Sequence, residues 1–142
     1  MEVSEVRRRL RSAIDEARRR ATERRARVEE AGRAWERLLP ELAVPTFQTM
    51  AGALAAEGHR FKVFTPGQAV RLSLERSAEE FVELSLDTQR DQPALMLRST
   101  HGRGRRMVST ERIVGEGAEI DALTQEDLVA AVLEELIPFI ER

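Results

Sequence analysis

Catalysis needs side chains that attack, move protons or coordinate, and this chain offers few of them in a working arrangement. Its two histidines, His59 and His101, stand in no ligand spacing with each other or with a carboxylate motif. Cysteine is absent, which excludes disulfides and thiolate metal sites. No glycine-rich phosphate loop follows a strand, and neither a nucleophile elbow nor an HExxH pattern is present. The acidic groups Glu79-Glu80, Glu134-Glu135 and Asp121 fall at turns or on polar helix faces. General acid–base work requires burial or coupling that those settings do not supply. His59 directly follows an expected helix end, where an imidazolium interacts favourably with the helix dipole. His101 opens a hairpin, and its side chain is expected to be exposed. The chain therefore reads as non-enzymatic, with no metal and no cofactor.

Charge recognition is the chemistry this composition does offer. Of 23 basic residues, Lys62 is the only lysine and the rest are arginine, whose planar fork suits carboxylates and phosphates. The segment His101-Gly102-Arg103-Gly104-Arg105-Arg106 has two glycines that allow a tight turn and three arginines around it. Such a tip can bind a phosphate or an acidic protein segment, or enter a nucleic-acid groove. The simpler reading is a solvated hairpin balanced by neighbours such as Glu111 and Asp87. A second basic cluster, with Arg18 and Arg25, lies in residues 18–27 but is diluted by acids at helical spacing. A nucleic-acid or polyanion binder using Arg103, Arg105, Arg106, Arg18 and Arg25 is the alternative reading.

These groups sit on elements that the apolar spacing defines. Val3, Leu10, Ala17, Ala31 and Leu38 keep one seven-residue register, interrupted at Arg24. Ile14, Ala21, Val28 and Trp35 keep the other, interrupted at Arg7. This is a heptad seam, expected of a coiled coil or a long packed helix. Pro40 is its expected stop. A short second helix is expected between Pro40 and Gly58, with Pro45 bending the chain into it, Thr46 as N-cap and Gly58 just past its end.

From residue 60 to 114 the period falls to two. Strands are expected at 60–65, 68–76, 80–87, 94–100 and 106–114, with a type II turn at Pro66-Gly67 and Leu72 pairing Leu84. Residues 94–97 are apolar on both faces, so that strand is expected to be covered on both sides. Short connections imply an antiparallel meander. Thr124 and Asp127 resemble a capping box before a last helix at 125–141. Leu128, Val129, Val132, Leu133, Leu136 and Ile140 form its expected broad face, and Pro138 should kink or loosen its end.

The expected fold is α+β: a long N-terminal helix and a short second helix, a five-stranded antiparallel meander, and a C-terminal helix packed on one sheet face. Residues 1–39 read as a helical arm and 40–142 as the body of a single domain. At 142 residues with 42% hydrophobic content the chain can bury a core. It has no apolar run long enough to span a membrane and no apolar stretch of a signal peptide, so a cytoplasmic location is expected.

The arm outruns the body: roughly 37 helical residues span about 55 Å, against a body roughly 35 Å across. Its far end therefore needs a cover. The expected function is a small binding or adaptor protein that forms a homodimer through this helix, with an acidic protein partner also open. Leu10, Ile14, Val28, Trp35 and Leu38 are the expected interface or helix-docking anchors, Trp35 foremost. Arg11, Arg18, Arg25, Arg20 and Arg27 flank the seam, so a symmetric two-stranded zipper is disfavoured.

Overall fold

The heptad spacing folds as one helix, α1, over Val3–Leu38 in the computed structural model, which describes residues 1–141. The chain does not break at Pro40. Leu39–Ala43 form one π-helical turn, closed where the Val44 N–H donates to the Leu39 carbonyl, and α2 follows at once over Val44–Ala56. A proline lacks the N–H donor and crowds the carbonyl four residues back. The wider π turn absorbs Pro40 and Pro45 without unwinding the rod. Thr46 is therefore no N-cap: it is buried within the helix, and its hydroxyl donates to the Leu42 carbonyl at 2.7 Å. The long and the short helix are both present, joined rather than bent apart.

Gly58 ends α2 as the spacing predicts. Its φ of +86° is open to glycine, its N–H donates to the Ala55 carbonyl at 3.0 Å, and the His59 N–H donates to Leu54 at 2.8 Å. Together these bonds are a Schellman motif.

Five antiparallel strands follow in sequence order: β1 Phe61–Phe64, β2 Val70–Leu74, β3 Phe81–Asp87, β4 Ala94–Arg103 and β5 Arg106–Glu116. The meander is as expected, with two local differences. The turn into β2 closes from the Ala69 N–H to the Pro66 carbonyl, with Gly67 at φ +59° as its first central residue. A positive φ there marks a type II′ turn, the form whose twist suits a hairpin. In the β2–β3 pair, Leu72 faces Val82 and Val70 faces Leu84, a shift of two residues that leaves the apolar sets on the same face.

That face is the core. Val70, Leu72, Val82, Leu84, Leu95 and Leu97 pack in one cluster with Phe47 from α2 and with Leu128, Val132, Leu136 and Phe139 from α3, Gln125–Glu141. Each such side chain contributes roughly 1.5–3 kcal/mol by leaving water. α2 covers β1 and β2, while α3 covers β3, β4 and β5. Thr124 and Asp127 cap α3 reciprocally, each backbone N–H meeting the other's side chain at 3.0 and 3.2 Å.

The core face of α3 is rotated from the expected one. Phe139 and Ala131 join Leu128, Val132 and Leu136 inside, whereas Leu133 and Ile140 point outward with Ile137. Pro138 lies inside the helix, which continues to Glu141.

On the other sheet face a row of alternating charge crosses four strands. Arg71 pairs with Glu83 at 2.8 Å, Glu83 with Arg98 at 3.9 Å, and Arg98 with Glu111 at 3.4 Å. Arg71 also lies over the Phe81 ring at 4.0 Å. Glu111 thus balances Arg98 rather than the hairpin arginines. Ala94 through Leu97 are all buried, as the two-sided apolar run predicts.

Candidate self-association surface

The C-terminal third of α1 is tied to the loops at one end of the sheet. The Trp35 indole Nε1 donates to the Gln68 carbonyl at 2.6 Å, which places the ring over the β1–β2 turn. Arg37 pairs with Asp121 and, at 3.8 Å, with Glu41. Arg27 reaches the Asp91 carbonyl at 3.3 Å. Ala31, Trp35 and Leu38 belong to the core cluster, with Trp35 only 3% exposed.

N-terminal to Arg27, no residue from 3 to 26 is buried. At 1.5 Å per residue those 24 residues make a rod about 36 Å long that stands clear of the body. Val3, Val6, Leu10 and Ile14 are all exposed on it, Leu10 by 56% and Ile14 by 48%. With about 100° between successive residues, these four fall within an arc of roughly 80°, in line with Ala17, Ala21, Val28 and Trp35. One apolar stripe therefore runs the length of α1. Its C-terminal third is buried in the protein's own core, and its N-terminal two thirds have no cover in the single chain.

Charge is sorted around that stripe. Arg7, Arg11, Arg18 and Arg25 line one edge, Arg9 and Arg20 the other, and Arg24 interrupts it. Glu5, Glu16 and Glu23 lie on the opposite side. There they engage arginines of the same helix: Arg9 with Glu5 at 3.3 Å, Arg20 with Glu16 at 3.2 Å, and Arg19 with Glu16 and with Glu23. The hydrogen bond from Arg19 holds the Glu16 carboxyl below its ordinary range; desolvation opposes it, and the charge of Arg19 and the hydrogen bond and charge of Arg20 add to the lowering. Among the described residues, no carboxylate forms an ion pair with Arg7, Arg11, Arg18 or Arg25.

The five expected anchors thus divide. Leu10 and Ile14 are open, Val28 is half-buried where the rod meets the body, and Trp35 and Leu38 are internal. Trp35 docks α1 on its own sheet, so it is closed to a partner; the same seam spacing serves both kinds of contact.

The two arginine clusters stay apart. Arg103, Arg105 and Arg106 are exposed at a two-residue turn, where Gly104 takes φ +64°. That tip lies nine residues along β4 from Ala94, about 30 Å at strand rise, whereas Arg18 and Arg25 project beyond the Asp91 contact at the Ala94 end. His101, expected to be exposed, is buried beside Phe139 with ring centroids 5.6 Å apart. Its strand neighbour Gly102 donates its N–H to Glu80 at 2.7 Å, which ties this end of β4 to the start of β3.

A groove of ≈ 710 Å³ runs along α1 beside Gln92, Pro93, Gly117 and Asp121 rather than between sheet and helices. No helix is long and apolar enough to cross a membrane, among the described residues. No protein-family model, curated protein or solved structure matches this chain.

Proposed function

We propose that this is a cytoplasmic, non-enzymatic binding protein that self-associates as a homodimer through the N-terminal part of α1. One observation carries the reading: the apolar stripe that docks α1 on its own core continues through Ile14, Leu10, Val6 and Val3 onto a rod with no cover. Exposed apolar side chains in line on a long helix cost free energy unless something removes them from water. A second copy is always at hand to do so. The arm's arginine edges also favour an acidic receiving surface, which suits an adaptor that meets acidic protein segments.

Light scattering at micromolar concentration tests this. The expected mass is that of two chains, falling towards one chain when Leu10 and Ile14 are both replaced by glutamate. A monomer that keeps full helicity by circular dichroism rejects the proposal.

A further inference from the structure

The arm's stripe has a counterpart elsewhere on the molecule. On the outer side of α3, Leu133, Ile137 and Ile140 are each about half exposed, with Ala130 exposed one turn earlier. At helical spacing they form a continuous apolar strip, since positions three and four apart share a face. Carboxylates line it: Glu126 stands at its N-terminal end and Glu134 and Glu141 along one edge, and α3 as far as Glu141 contains no basic residue.

The two surfaces match in chemistry and length. Val3 to Ile14 spans about 17 Å of helix, and Ala130 to Ile140 about 15 Å. One strip is apolar with arginine edges; the other is apolar with carboxylates at its N-terminal end and along one edge, where Glu134 already pairs with Arg112 of β5 and Glu126 and Glu141 form no ion pair among the described residues. Two arms laid together would instead set arginine against arginine along their shared seam. Arm against α3 joins the apolar strips and opposes unlike charge. A two-fold dimer makes this contact twice, because each chain contributes one arm and one α3.

Resting on the self-association reading, the geometry points to a specific interface: the N-terminal arm of each chain, from Val3 to Ile14, docks on the outer face of α3 of a second copy. The strip on α3 is thus the receiving site, and Arg7, Arg11 and Arg18 lie against its carboxylates. The expected weakening on losing an apolar side chain at the centre of such a contact is about tenfold or more in the dissociation constant.

Cross-linking of the full chain tests the pairing, because the sequence contains no cysteine to confuse it. Leu10→Cys and Ile137→Cys chains are mixed at micromolar concentration under mild oxidation. A disulfide between positions 10 and 137 of different chains is expected as the main product, and Leu133→Glu in the Ile137→Cys chain should suppress it. Separately, Leu133→Glu and Ile140→Glu should each weaken dimerisation about tenfold by light scattering, with unchanged circular dichroism. If the mixed chains scatter as a dimer but form no 10–137 disulfide, docking on α3 is overturned while self-association stands. If the unmodified chain is a monomer, both fall.

Discussion

Trp35 decides where the arm stops and the body starts. Its indole fills the core beside Ala31 and Leu38, and its Nε1 donates to the Gln68 carbonyl of the β1–β2 turn at 2.6 Å. Burial and polar satisfaction therefore act on the same ring. Replacing Trp35 with alanine should cost about 3–5 kcal/mol, the usual range for a buried aromatic, and Trp35→Phe less because only part of the volume and one hydrogen bond are lost. Urea unfolding followed by circular dichroism measures both. A Trp35→Ala chain within ~0.5 kcal/mol of the parent would show that α1 is not anchored there. The heptad register singles out this residue, but spacing alone cannot say whether a seam residue meets its own sheet or another chain. That choice depends on where the β1–β2 turn delivers the Gln68 carbonyl, a contact across 33 positions of sequence.

At the scale of elements, α1 is two helices in one. A free helix of two dozen residues is marginal in water because nucleation is costly, but the anchored end from Ala31 to Leu38 supplies the nucleus. The Glu5–Arg9 and Glu16–Arg20 pairs, each with the acid N-terminal to the base, add small support. Deleting residues 1–20 should therefore leave α2, α3 and the sheet folded, with intrinsic monomer stability changed by less than ~0.5 kcal/mol, while association is lost. Sedimentation velocity and thermal melting check the two halves of that statement, and a truncated chain that still dimerises as tightly as the parent removes the arm from the interface. Elements with one apolar face were legible in the sequence: the alternation of β2 and β3, the Gly58 stop and the Thr124–Asp127 cap all appear in place. The orientation of α3 was not. α3 carries apolar residues nearly all round, so its pattern could not fix which set faces the core, and Phe139 displaced Leu133 and Ile140 from it. Pro40 and Pro45 misled for a related reason, since a π turn that accommodates both has no spacing signature of its own.

For the whole molecule, the uneven placement of charge sets the sign of a measurable effect. Residues 1–26 hold nine arginines and five carboxylates, and the remaining residues hold fourteen basic and twenty acidic groups. A net charge of −2 thus divides into a basic rod and an acidic body. If arms met arms, raising salt would screen repulsion and tighten the dimer. If each arm meets the α3 of the other chain, salt screens attraction and loosens it. The Debye length falls from about 10 Å at 0.1 M to about 3 Å at 1 M, enough to remove most of an exposed ion-pair contribution. Two to four pairs at roughly 0.5 kcal/mol each amount to about 1–2 kcal/mol, or about a five- to thirtyfold rise in the dissociation constant. Dilution series by light scattering at the two salt concentrations read that change directly. A dimer that tightens with salt places the arginine edges against each other, and one that loosens places them against carboxylates.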